Sequence, residues 1–270
     1  MTTTKIFQVD AFTSRLFAGN PAAVVPLDEP LPDETLRAIA AENNLSETAF
    51  FTKGGEDGAA YHLRWFTPEV EVQLCGHATL ASAHVLFNHL GHEGDLVTFS
   101  TAHSGRLTAA RGDHDTIVLD FPARDHEPAD LETTLVRALG RQPSEVYRSL
   151  YNLMCVFENK RDVHEIEVDP QGLAELDAFG VIVTAPGASH DFVSRYFAPK
   201  AGINEDPVTG SAHCSLAPYW AKRLGKKRLS AHQVSKRGGE LVCEVAESGD
   251  RVKLIGKAVT YLEGQIRVSS

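Results

Sequence analysis

The sequence predicts an α+β protein of two similar lobes, each a set of mostly antiparallel strands wrapped around one central helix. Three observations carry this. Stretches of the chain recur: Arg64-Trp65-Phe66-Thr67-Pro68 returns as Arg195-Tyr196-Phe197-Ala198-Pro199, and Cys75-Gly76-His77-Ala78 returns as Thr209-Gly210-Ser211-Ala212. The spacing recurs as well, with 15 positions from Gly76 to Gly91 and from Gly210 to Gly225, then 14 more to Gly105 and to Gly239. Short strand-like runs also alternate with a few helical segments, two of which begin at the repeated glycines. Two copies of mixed strand and helix do not make a solenoid. They make two lobes facing each other, and the cleft between them is where a small ligand is expected.

In chain order, residues 5–9, 22–25, 48–51 and 61–66 read as strands, with Gly19-Asn20-Pro21 turning between the first two. Residues 33–42 read as a helix with Leu36, Ile39 and Ala40 on one face, ended by Asn43-Asn44. Residues 77–90 are apolar nearly all round, the mark of a buried helix. Strands follow at 96–99, 105–110 and 116–121. The second half repeats the order, with a helix near 130–139, strands at 146–150 and 152–157, a helix at 170–177 and strands at 181–184 and 191–197. Its central helix runs from Ser211 to Gly225, and Pro218 inside it is expected to kink or split it. Hairpin strands finish the chain. No Pro-, Gly- or Ser-rich linker separates the halves, so the boundary is placed at 1–120 against 121–261, near Pro122 to Pro128.

Bulk properties narrow the function. With 270 residues, 43% hydrophobic and 23% charged, the chain can fill two ordinary cores. A net charge of −10 argues against nucleic acid or an anionic membrane as partner, and the small-molecule substrate is expected from the cleft. The tight basic run Lys226-Lys227-Arg228 follows a helix-ending glycine and reads as a solvated turn. Four cysteines without CxxC spacing fit reduced thiols, and the N-terminus lacks a signal-like apolar run, so a cytoplasmic protein is expected.

Glycine ahead of a helix lets backbone approach a ligand, and the first helical N–H groups are free donors at the positive dipole end. Gly76-His77 and Gly210-Ser211 therefore suit a carboxylate or an oxyanion formed during reaction, unless the glycines only permit tight turns. Strand alternation puts Glu47 on the face of Leu45, Ala49 and Phe51, where desolvation would make it a proton donor and acceptor near neutrality. At the mouth of a short strand it would merely face water. The matching strand, 180–184, has no acid. Asp206 precedes the second helix in a loop three residues longer than its counterpart, a place where function is often added, although Asp-Pro also starts turns. His77, with His84 and His89, shows no recognised metal-ligand spacing with a carboxylate, and no P-loop or GxGxxG follows a strand, so neither metal nor nucleotide is expected.

With Gly19-Asn20-Pro21-Ala22-Ala23-Val24, Asn44-Leu45-Ser46-Glu47-Thr48, Cys75-Gly76-His77-Ala78-Thr79-Leu80-Ala81 and Glu205-Asp206-Pro207-Val208-Thr209-Gly210-Ser211-Ala212 in order, the chain resembles the phenazine-biosynthesis PhzF-like family, which shares its fold with diaminopimelate epimerase. The resemblance implies two half-open β-barrels, each around a central helix, with residues 262–270 returning to complete the first. It implies a cofactor-free, often homodimeric isomerase that moves a proton between carbons of a small metabolite. Glu47 matches the family's acid/base, and His77, Asp206 and Ser211 its other catalytic positions. Asn20, Cys75, Gly76 and Gly210 join His77 and Ser211 as expected substrate contacts. The epimerase cousins place a cysteine before each helix-start glycine, whereas here the pair is Cys75 and Thr209. That disfavours a two-thiol racemase and leaves Cys75 as either a small buried residue or a second acid.

Overall fold

A computed structural model describes residues 2–268 of the chain. Residues up to Asp120 and from Ile255 onward form one compact unit, and Phe121–Leu254 form another. The chain first lays down β1 (Thr2–Ala11), β2 (Asn20–Leu27), α1 (Asp33–Asn43), β3 (Glu47–Lys53), β4 (Tyr61–Phe66) and β5 (Glu71–Val72). Next come α2 (Gly76–Asn88), β6 (Leu96–Thr101), β7 (Gly105–Arg111) and β8 (Ile117–Pro122). The second run is β9 (Glu127–Pro128), α3 (Thr133–Leu139), β10 (Glu145–Ser149), β11 (Asn152–Val156), α4 (Lys160–Glu165) and α5 (Pro170–Glu175). It continues through β12 (Gly180–Pro186), β13 (Phe192–Ala198), β14 (Ile203–Asp206) and α6 (Gly210–Leu224). The chain closes with β15 (Arg228–Gln233), β16 (Gly239–Val245), β17 (Arg251–Gly256) and β18 (Ala258–Val268).

Among the pairings described, each unit is antiparallel apart from two parallel pairs, β2 with β3 and β4 with β6 in the first, β11 with β12 and β13 with β15 in the second. Parallel neighbours need a crossover, and helices supply it each time: α1, α2, then α4 with α5, then α6. β18 lies antiparallel on β1, from Thr2 against Val268 to Ala11 against Ala258. Ser269 and Ser270, the last positions of the expected terminal strand, lie outside the described residues.

The repeated Arg-aromatic-Phe motif has a structural cause. Arg64 forks onto Glu71 at 2.8 and 2.7 Å and lies 4.9 Å over the Phe66 ring; Arg195 forks onto Glu205 at 2.7 and 3.0 Å and lies 4.9 Å over Phe197. These bidentate braces fasten β5 to β4 and β14 to β13. They also correct the reading of the longer loop. Glu71 and Glu205 each stand five positions before the helix-start glycine, so Asp206 falls in the place of Val72. The three additional residues sit earlier, around the short helical turn Pro199–Ala201, and not beside Asp206.

α2 is buried from Gly76 to Phe87 except at His84, and it packs on β1, β2, β3, β7 and β18. Its nearly all-apolar surface is thereby explained. α6 is continuous from Gly210 to Leu224, so of the expected kink or split at Pro218 the split does not occur. Pro218 cannot donate to the carbonyl of Cys214, and the Arg124 N–H takes that acceptor instead at 3.0 Å. The helix loses one internal bond without leaving a polar group unsatisfied.

Candidate active site

In the first unit three chain segments reach the same end of the sheet. β2 and β3 run parallel, so Asn20 and Glu47 both stand at strand starts. β4 runs back against β3, with Phe66 opposite Thr48, so the segment leading to α2 leaves from that end too. Gly19 makes the approach possible: its φ is +65°, and a Cβ there would lie 2.2 Å from the Ala11 carbonyl oxygen.

The side chains then meet. Asn20 Nδ2 lies 3.0 Å from His77 Nδ1, and His77 Nε2 lies 3.2 Å from Glu47 Oε2. Cys75 Sγ approaches the same ring, 3.5 Å from Nδ1 and 3.9 Å from Nε2. All four residues are buried, with 0% of Asn20, 3% of His77, 5% of Cys75 and 9% of Glu47 exposed. Burial pushes His77 down to about 3, so the imidazole is neutral. With the Asn20 amide donating to Nδ1, the ring proton sits on Nε2, the nitrogen that faces the Glu47 carboxylate. The contact is therefore a close approach of a neutral ring to the carboxylate, not an ion pair. Glu47 is buried, but not for the reason that strand alternation offers. Leu45 lies outside β3, whose first five residues are buried on both faces, and it is the position at the strand start that counts.

In the second unit Asp206, Thr209, Gly210 and Ser211 lie on one short segment ahead of and entering α6, with Ser211 half-buried. Thr209 Oγ1 donates to Asp206 Oδ2 at 2.5 Å. Gln233, fully buried at the end of β15, clamps this segment. Its Oε1 accepts from the Thr209 N–H at 2.9 Å, while Nε2 reaches the Asp206 carbonyl at 2.7 Å and Thr209 Oγ1 at 3.2 Å. His213 Nδ1 lies 2.8 Å from the Thr209 carbonyl. Burial lowers His213 to about 4, so this ring too is neutral and donates from Nδ1.

Sequence reasoning named Asn20, Glu47, Cys75, Gly76 and His77, and the fold gathers them. It named Asp206, Gly210 and Ser211, which are neighbours along the chain. It missed Gln233 and His213. Gln233 has no motif, and only its place at the end of a predicted hairpin strand sets it apart. His213 had a visible signal in the repeat, since it matches Thr79, whose Oγ1 donates to the Cys75 carbonyl at 2.6 Å. Neither His84 nor His89 joins His77; both hydrogen-bond Thr260 Oγ1, at 2.9 and 2.7 Å. Among the described residues no helix is long and apolar enough to cross a membrane.

Known proteins resemble the chain over nearly its whole length. The family described as "Phenazine biosynthesis-like protein" matches residues 9–264. An uncharacterized isomerase of Pseudomonas aeruginosa is 51% identical over 262 residues, 97% of this chain and 98% of that protein. The crystal structure of a PhzF-family phenazine biosynthesis protein from Enterococcus faecalis is 46% identical with a TM-score of 0.92, covering 99% of this chain and 100% of that one. A hydroxyproline epimerase of Agrobacterium vitis, at 12% identity and a TM-score of 0.63 over 98% and 92% of the two chains, shares the fold.

Proposed function

The chain belongs to the phenazine biosynthesis-like protein family, and from that premise we propose that it is an isomerase in which Glu47 moves a proton on a small, carboxylate-bearing metabolite. The observation that carries the reading is the buried chain Asn20, His77, Glu47 at the start of α2. A general base must be held in one orientation within reach of the proton it takes. Asn20 fixes the His77 tautomer, and the neutral ring lies against the carboxylate without bringing a competing positive charge. Glu47 accepts a proton from one substrate carbon, becomes the neutral acid, and returns the proton at another carbon. The backbone N–H groups of Gly76 and His77, first in α2, are placed to steady negative charge on a substrate oxygen while the proton is away. Asp206 and Ser211 act on substrate as well, with Asp206 held by the Thr209 hydroxyl. The reading includes no bound cofactor and a homodimer, the latter open to light scattering.

Turnover in D2O tests the proton step. A carboxylate shielded from water returns part of the substrate's own hydrogen, so product should retain some protium at the receiving carbon. Deuterium delivered to the opposite face of the substrate would overturn the single-base scheme. A second reading, an epimerase in which Cys75 is an acid, is favoured by one observation, the approach of its sulfur to His77. Its counterpart Thr209 offers a hydroxyl already committed to Asp206, which weighs against a symmetric two-acid mechanism.

A further inference from the structure

Glu47, Cys75 and His77 present a carboxylate oxygen, a sulfur and an imidazole nitrogen that all lie within 4.8 Å of one another, and all three residues are buried. Thiolate, imidazole and carboxylate together make a borderline-soft donor set, suited to zinc and its analogues rather than to magnesium or calcium. The spacing fits as well. Zinc bonds of about 2.1 Å to N or O and about 2.3 Å to S, at tetrahedral angles, put donor atoms about 3.4 Å (N to O) and about 3.6 Å (N to S) apart. His77 Nε2 stands 3.2 Å from Glu47 Oε2 and 3.9 Å from Cys75 Sγ, within a few tenths of an ångström of those edges. The sulfur now lies nearer Nδ1, at 3.5 Å, and has to swing toward the Nε2 side of the ring to share a metal with it. A buried residue outside the trio already addresses the far side of the ring, with Asn20 against His77 Nδ1 at 3.0 Å. Metal-bound histidines carry such a partner on their other nitrogen.

We propose that this trio is a zinc-binding site of the chain, with three protein ligands and a fourth position open to water, and that zinc held there blocks proton transfer. The site rests on the geometry of the three side chains, and the block rests on the proposed role of Glu47. Binding balances simply. The Cys75 thiol gives its proton to solvent and its sulfur to the metal. The Nε2 proton of His77 moves to Nδ1, freeing the Nε2 lone pair, and the Asn20 amide turns so that its oxygen accepts the relocated proton. Glu47 gives one carboxylate oxygen to the metal and can no longer shuttle a proton. Zinc is then a reversible inhibitor, relieved by a chelator.

The test uses the full-length chain and cobalt(II) as the visible stand-in for zinc. Titration should give a thiolate-to-cobalt charge-transfer band that saturates at one metal per chain, is displaced by Zn2+ and is untouched by Mg2+. Cys75→Ser should abolish the band, and Asn20→Ala should weaken binding about 10–100-fold through loss of the ring's outer partner. In case Cys75→Ser fails to fold, alkylation of the unaltered chain supplies a second readout. Zinc should shield Cys75 and leave the reactivity of Cys155, Cys214 and Cys243 unchanged. No band at saturating cobalt, a band that survives Cys75→Ser, or equal alkylation of Cys75 with and without zinc would each overturn the site. A chain that isomerises when metal-free yet shows no band with cobalt refutes the metal site alone. One that binds cobalt but fails to isomerise when metal-free refutes only the isomerase reading, and turnover undiminished with zinc bound overturns the block.

Discussion

At the start of α2 the Thr79 hydroxyl holds the Cys75 carbonyl at 2.6 Å; at the start of α6, in the equivalent place, the His213 imidazole holds the Thr209 carbonyl at 2.8 Å. The backbone task is the same and the side chain differs. The same holds one strand away. Thr48 pairs with Phe66 and Val181 with Phe197, so the counterpart of Glu47 is Gly180 and that of Trp65 is Tyr196. A Cβ on Gly180 would lie 2.3 Å from the Tyr196 hydroxyl oxygen, which itself reaches Asn152 Oδ1 at 3.1 Å. Where the first unit places a carboxylate, the second places a phenol and leaves no room for an acid. Its own carboxylate, Asp206, enters from β14 at the position that is Val72 in the first unit. The two copies share the braces and the helix starts, whereas their acids stand at non-equivalent positions.

Three experiments can break or sharpen this contrast. The largest effect is expected at Glu47. Glu47→Gln keeps the shape and loses the transferable proton, so kcat should fall by about two to four orders of magnitude with the circular dichroism spectrum unchanged. Cys75→Ala should lose at least ten times less; the reverse ranking would move the chemistry to the thiol. Next in size, Gly180→Ala should cost roughly 1–3 kcal/mol in a denaturant titration, because the new methyl displaces the Tyr196 ring. A neutral result would mean the second copy could have carried an acid on that strand.

The smallest effect concerns acid. His213 titrates near 4 in the folded chain and near 6.5 when unfolded, so its folded-state value is lowered by burial. Between those values the unfolded chain binds more protons, and stability falls as pH falls. The contribution is fully present above about pH 6.5 and is lost on descending toward 4, on the order of 1–2 kcal/mol by pH 5. Thr79, being a hydroxyl, has no such sensitivity itself, but His77 at the same helix start, lowered to about 3, and His84, lowered to about 4, give the first unit its own. Melting curves from pH 7 to 4.5 should therefore show a shallower decline in His213→Gln than in the unaltered chain. Identical slopes would remove His213 from the account.

Much of this was legible in the sequence. Periodicity and the repeat give the buried α2, the long strands and the glycines that open both central helices, because those features are dictated by local pattern. The two-residue strands β5 and β9 and the four-residue β14 were not legible, since pieces that short are created by their neighbours. β5 and β14 exist where Arg64 and Arg195 pull a glutamate onto the adjacent strand. The six-residue α4 is too short to show a helical period and is set by Asn159, whose side chain accepts from the Asp162 N–H. Pro218 misled for a comparable reason, because its remedy is a backbone donor from Arg124, far away in sequence. Within the site, Glu47 and His77 were found by motif, whereas Gln233 is 27 residues from the Asp206 carbonyl it holds and belongs to no pattern.

The pairing of β18 with β1 has a consequence for how the chain is made. The first unit is assembled from both ends of the sequence, with the whole of the second unit, Phe121–Leu254, nested between them. On the ribosome the second unit emerges complete and is free to fold before the last strand of the first has been translated. Until then β1 has one of its two partners, β2, and a ten-residue edge stands open. Closing it joins residues more than 240 positions apart, a long-range contact that can form only late.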